Sequence, residues 1–304
     1  MRSKALKLGK MDACRNMSLL RTYLILSFLV GCAHVDPREQ SAQETTEALT
    51  CTSCKCEPTK PLLELLSLLQ ITHDGSLASI VSSTQSAWLR ASTQERWHIV
   101  DRFEDLKPQI APLLEKMGLM NARHAKHRSY EYAVVFGATY GSVQKRLAFL
   151  AHEWQRGVLF NEIIFLGSER PLTAVERESV NAHTETEMMK LVYAELELPK
   201  GLRDLPATFV DSPMKRNKDG SLARPNTGDT IIQWLKSKPI PCRILAVSNQ
   251  PYVSYQHAVM KTIMPKDFIV ETVGIAAGDV SVSTHLDNLA RLLYQEQAQC
   301  TQSS

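Results

Sequence analysis

Tyr132-Ala-Val-Val-Phe-Gly137 and, one helical segment later, Glu162-Ile-Ile-Phe-Leu-Gly167 decide how this chain folds. Each is a short apolar run ended by glycine. Too brief for a buried helix and without polar alternation, such runs read as strands covered on both faces. Lys145–Trp154 between them has helical spacing. The same rhythm continues through a helix at Glu185–Leu196, a strand at Ala207–Asp211, a helix at Thr227–Leu235 and a strand at Arg243–Val247. A helix at Val253–Ile263, a strand at Phe268–Val273 and a last helix at Leu286–Gln297 complete it. Strands alternating with helices predict an α/β domain with a mainly parallel sheet, here residues 123–297, opening at the basic loop Arg123–Arg128.

Working towards the amino end, residues 61–122 are expected to form a small helical region or packing layer. Leu62, Leu63, Leu65, Leu66, Leu68 and Leu69 follow Pro61 with the spacing of a short amphipathic helix. Residues 77–91 and 94–117 predict two more, the second kinked near Pro108 and Pro112. Residues 32–60, rich in Thr, Ser, Glu and Gln without apolar periodicity, read as a flexible tether, and residues 298–304 as a tail.

Ahead of the tether, Tyr23-Leu-Ile-Leu-Ser-Phe-Leu-Val30 is too short to cross a membrane but long enough for the core of an export signal. Lys4, Lys7, Lys10, Arg15 and Arg21 precede it, and translation from Met11 or Met17 would leave a more compact signal. Leu29-Val30-Gly31-Cys32 resembles the lipobox of bacterial lipoproteins, in which the cysteine is acylated and becomes the mature amino terminus. An ordinary signal peptide is the alternative. Acylated Cys32 would make membrane lipid a partner, and Ala33 after it fits outer-membrane retention facing the periplasm. Residues 1–31 hold six Lys/Arg against one Asp, so their removal takes the net charge from +3 to −2. A near-neutral body offers no electrostatic footprint for nucleic acid. In an oxidising compartment a Cys51–Cys54 or Cys51–Cys56 bridge is conceivable; a zinc site or spare cysteines are the other readings.

Ligands of open α/β sheets bind beyond the carboxyl ends of strands. The loops to inspect are therefore Gly137–Ser142, Gly167–Pro171, Asp211–Thr227 and Ser248–Tyr252. Thr227 reads as a helix N-cap, and with Asn226 it would present a helix start to an anion. Ser248 and Asn249 follow a strand, Ser142 follows the first glycine loop, and Gly137 permits close backbone approach. Arg146 carries a guanidinium fork suited to phosphate or carboxylate, with a surface or ion-paired role as the alternative. Glu185 opens a helix as cap, polar contact or base. No spacing marks a metal site or a dinucleotide fingerprint, and Gly-x-Ser-x-Gly is absent. His257 lies too close to Ser248 to establish a triad, and the sequence identifies no cofactor.

In order and placement these segments resemble the DUF218 family of envelope proteins. The resemblance rests on Ala133-Val-Val-Phe-Gly137 with Arg146, Ile163-Ile-Phe-Leu-Gly-Ser168, Thr184-Glu-Thr-Glu-Met-Met189, Asn226-Thr227 with Asp229, and Ile244-Leu-Ala-Val-Ser-Asn249. It covers about residues 131–273. It implies a Rossmann-like three-layer fold, adds Ser168 and Tyr252 to the candidate ligand contacts, and implies a role in maintaining the cell envelope. The family's His and Arg after the last strand are replaced here by Gln250-Pro-Tyr-Val-Ser-Tyr-Gln256, and tyrosine is no base near neutral pH. The expected function is binding of a small anionic molecule or a peptidoglycan or glycan precursor, with Glu185 as the candidate catalytic residue. Hydrolysis or transfer of that ligand, and a non-catalytic tethered interaction role, are the alternatives.

Overall fold

The structure is a computed structural model and describes residues 47–51, 56–90 and 100–302. Two short strands, β1 (Leu49–Cys51) and β2 (Cys56–Pro58), lead into α1 (Lys60–Leu68), α2 (Leu77–Trp88) and α3 (Lys107–Lys116). The α/β part follows as β3 (Tyr132–Phe136), α4 (Tyr140–Gln155), β4 (Glu162–Ser168), α5 (Ala174–Ser179), α6 (Glu185–Glu195), α7 (Lys200–Arg203) and β5 (Ala207–Ser212). A small hairpin of β6 (Lys215–Arg216) and β7 (Leu222–Ala223) precedes α8 (Thr227–Leu235). The chain ends through β8 (Arg243–Asn249), α9 (Val253–Ile263), β9 (Ile269–Ile275) and α10 (Val282–Gln302).

Five strands pair in parallel in the order β5-β4-β3-β8-β9. Successive side chains of a strand point to opposite faces, so each apolar run feeds two cores. Ala133, Val135, Ile163, Phe165, Leu245 and Val247 meet α4 and α6 on one face. Val134, Phe136, Ile164, Leu166, Ile244 and Ala246 meet α8 and α9 on the other. The result is the mainly parallel α/β sheet expected from the alternation, in a three-layer, Rossmann-like arrangement. The strand order reverses between β3 and β8, which places the topological switch point there.

Residues 61–122 pack as a layer that α10 completes. Leu286, Leu289, Ala290 and Leu293 form an apolar stripe along α10 and share a core with Leu62, Leu65 and Leu66 of α1, Ile80 of α2 and Ile110 of α3. Asp101 closes the amino end of α10, its carboxylate accepting the Val282 N–H at 2.8 Å and the Ser283 hydroxyl at 3.0 Å. Pro112 sits inside α3, and the break before it is a single 3-10 turn at Glu104–Leu106.

Several expectations about the flanks need correction. Residues 47–59 are not tether: Ala48 and Leu49 are buried, and β1 pairs antiparallel with β2. Thr59 fixes this hairpin by donating its hydroxyl to the Glu47 and Ala48 carbonyls at 2.9 and 3.0 Å. Cys56 is joined to Cys300, not to Cys51. Residues 298–302, expected as tail, continue α10, because its apolar face still has a partner in the hairpin. Cys32 with its flanks, Cys54 and residues 91–99 lie outside the described residues. Among the described residues no helix is long and apolar enough to cross a membrane.

Beside the disulfide, Glu296 of α10 lines a groove with Glu47, His257 and Lys261. Burial first, and the charge of Glu47 second, push its carboxyl up to about 8 against the pull of Lys261. The folded state therefore keeps a proton that the unfolded chain releases near pH 4.5, and stability falls as pH rises from there to about 8. Glu296→Gln is expected to match the parent near pH 4 and to exceed it by a few kcal/mol above pH 8. Urea denaturation across that range measures the difference, and parallel profiles would refute the assignment.

Candidate functional site

A cleft of about 360 Å3 opens over the carboxyl ends of β3 and β4. Its floor is Phe136, Gly137 and Leu166, and its walls come from the amino ends of α6 and α8 and from α10. Three of the four loops named from sequence supply lining residues: Gly137 and Thr139, Arg170, and Arg224 through Thr227. The loop Ser248–Tyr252 supplies none.

Glu185 is the first residue of α6 and is buried. The cap of that helix is Thr184, whose hydroxyl accepts the Glu187 N–H while Glu187 reaches back to the Thr184 N–H. Glu185 is thus free of the capping role and turns to the cleft, where its Oε2 accepts the Ser168 hydroxyl at 2.6 Å. Arg170 Nη2 lies 3.5 Å from its Oε1, although the fork of Arg170 is spent chiefly on Glu176 at 2.9 and 3.0 Å. Burial lifts the Glu185 carboxyl above the ordinary range against the opposing pull of Arg170, Ser168 and Arg146. Gly137 is required for this placement. A Cβ there would stand 2.8 Å from both the Glu185 carboxyl carbon and the Leu166 carbonyl oxygen.

The α8 wall starts with Asn226, which is the N-cap in place of the expected Thr227. Its Oδ1 accepts the Asp229 N–H at 3.1 Å, and Asp229 accepts the Asn226 N–H at 2.7 Å. Asparagine outranks threonine at this position, and the box fixes the helix start against the cleft. Asn226, Thr227 and Thr230 all line it.

Arg146 does not reach the cleft. It is 1% exposed and fills the switch point, donating from Nη1 to the Phe136 and Gly137 carbonyls at 2.8 and 2.9 Å and from Nε to Asn249 Oδ1 at 2.9 Å. Asn249 is buried with it. Ser248 is buried as well and donates to Gln256 Oε1. Ser142 is half-buried and accepts the Thr139 hydroxyl at 3.1 Å. Ser168 supports Glu185 from beneath. Tyr252 stands at the start of α9, and Tyr255, one turn on, is the tyrosine that lines the cleft. Gly137, Glu185, Asn226 and Thr227 therefore share the cleft, while Arg146, Ser142, Ser168, Ser248, Asn249 and Tyr252 do not line it.

Sequence reasoning missed the four guanidiniums that do. Arg90, Arg170, Arg224 and Arg291 line the cleft against the carboxylates of Glu185 and Asp287. Asp287 is engaged by Arg291 at 3.0 Å and by the Arg90 N–H at 3.2 Å. Arg170 and Arg224 lay inside loops already marked by topology; Arg90 and Arg291 come from α2's end and α10, with no local signal. The serine-histidine candidates stay apart: His257 Nδ1 faces Thr272 Oγ1 at 3.1 Å, and burial pushes its pKa down to about 4. His285 Nδ1 faces the Ser281 carbonyl at 3.1 Å.

Although no spacing announced a metal site, His124, His152 and Glu153 bring three ligand atoms within 4.8 Å of one another. They lie near the amino ends of the strands, since α4 runs back from the carboxyl end of β3, and none lines the cleft.

Fold and site together define a Rossmann-like α/β protein with an arginine-lined cleft at the carboxyl ends of its strands. No protein-family profile matches the chain, and no curated protein does.

Proposed function

We propose that this is a lipid-anchored protein of the bacterial envelope that binds a small anionic molecule, such as a phosphorylated glycan precursor, in the cleft. The observation that carries the reading is the charge of the lining: four arginines and the positive end of α8 against two carboxylates, one of them raised towards neutrality. The cleft volume suits a small ligand. The DUF218-like segments supply the envelope context. The Cys56–Cys300 bridge supports export, because disulfides persist in oxidising compartments. Acylation of Cys32, with an outer-membrane destination facing the periplasm, completes the proposal. Mass spectrometry of the mature chain checks it, an unmodified start at Met1 being the result against it.

Arg224 is exposed and gives the cleanest test of binding. Arg224→Glu is expected to weaken binding of an anionic ligand found by unbiased screening about tenfold or more, with melting unchanged. Unaltered affinity in both Arg224→Glu and Glu185→Gln would remove the cleft from the account. A second reading, turnover of the ligand by hydrolysis or transfer, is favoured by one observation. Glu185 is a buried carboxyl that holds its proton more tightly than usual in the cleft wall, as a general acid or base requires. Turnover of the bound ligand that Glu185→Gln abolishes would establish it.

A further inference from the structure

We propose that His124, His152 and Glu153 form a site for a divalent ion of borderline softness, zinc above all. Two imidazoles and one carboxylate are a donor set that zinc takes, with a remaining position for water. The ligand atoms of a tetrahedral zinc lie about 3.3 Å apart. Here His124 Nδ1 stands 2.6 Å and His152 Nδ1 3.9 Å from Glu153 Oε1, so the three bracket that spacing before any side chain moves.

The cluster is built from below and open from above. Glu153 has a fully buried side chain and is held by the Ala125 N–H at 3.1 Å and by Arg156 at 2.9 Å. Arg156 Nη1 donates to both oxygens, at 2.9 Å to Oε1 and 3.0 Å to Oε2, which fixes the carboxylate with Oε1 shared between the guanidinium and the His124 ring. His124 stacks on Phe149 with ring centroids 5.4 Å apart, and the two imidazole centroids are 5.7 Å apart. The imidazole side chains are 40% and 55% exposed, which gives an ion access from solvent. Ligation through Nδ1 uses the neutral His124 tautomer that carries its hydrogen on Nε2, so the ring hydrogen moves by way of solvent from Nδ1 to Nε2, no net proton leaves, and no bond to carbon changes. The last turn of α4 adds carbonyls whose partial negative charge favours a cation there. Arg156 opposes the ion but neutralises the buried carboxylate in its absence, so the cluster is stable in both states.

Isothermal titration of the chelator-treated chain with zinc sulfate tests this. One saturable equivalent is expected, weakened about tenfold or more by His152→Ala and lost with His124→Ala and His152→Ala together. His152 is the more exposed ring, so its variant decides the matter if loss of the His124 stack perturbs the fold. Cobalt titration adds a readout that structure alone would not move. Weak visible bands without a thiolate charge-transfer band are expected. Absence of saturable binding, binding that survives the double substitution, or a thiolate band assigning the ion to cysteines such as Cys51, Cys54 or Cys242 would each overturn the site.

Discussion

Arg146→Ala is expected to lower folding free energy by about 3–5 kcal/mol, measured as a shifted urea midpoint at an unchanged slope. The guanidinium satisfies the last carbonyl of β3, the Gly137 carbonyl and Asn249 at the end of β8. It thus joins the two strands between which the sheet order reverses. Removing it strands three acceptors in a place that is 1% exposed, and each orphaned acceptor costs about 1–3 kcal/mol. The empty volume adds to that. Arg146→Lys keeps the charge but not the planar fork, so it is expected to recover only part of the loss. Gly137 also makes room for Glu185, so distortion at this point should propagate to the cleft as weaker ligand binding. A variant that keeps full stability while losing the ligand would return Arg146 to the role of a direct contact.

That case shows where sequence reading succeeds and where it stops. Apolar runs ended by glycine placed β3 and β4, and helical periodicity placed α8 and α9, because those signals are local. An arginine one or two turns into the helix after β3 was also visible. Whether its fork enters the cleft or passes beneath it depends on Asn249, which is 103 residues away. The hairpin at Leu49–Pro58 was read as tether for the same reason: its polar composition is real, and its burial depends on α10 at the far end of the chain. The short helices α5 and α7 span barely one turn or two and carry no period to detect. The arginines of the cleft converge from four separate segments, and only topology, through the loops after strands, pointed at two of them. The His124–Glu153 pair likewise joins a loop residue to a helix residue 29 positions later, outside any ligand-spacing rule.

Removing the Cys56–Cys300 bridge is expected to cost about 3–5 kcal/mol, because it ties residues 244 positions apart and long closed loops restrict the unfolded chain most. Two structural consequences separate this from a general loss. Cys300 sits in the last turn and a half of α10, and Cys56 begins β2, so the bridge pins the hairpin onto the helix that completes the amino-terminal layer. In Cys56→Ser with Cys300→Ser, the hairpin keeps its Thr59 hydrogen bonds but loses its covalent hold. Limited proteolysis should then cut first near residues 47–59, before any strand of the five-stranded sheet is attacked. Glu296, one helical turn from Cys300, should also lose part of the burial that raises its carboxyl, so the pH dependence of stability should flatten in the same variant. Peptide mapping under non-reducing conditions provides the direct check. A Cys56–Cys300 peptide is expected from chain exported to an oxidising compartment, and free thiols from chain retained in a reducing one. Recovery of Cys56 paired with Cys51 or Cys54 would detach the hairpin from α10 and refute the pinning role, while free thiols throughout would remove the support for export.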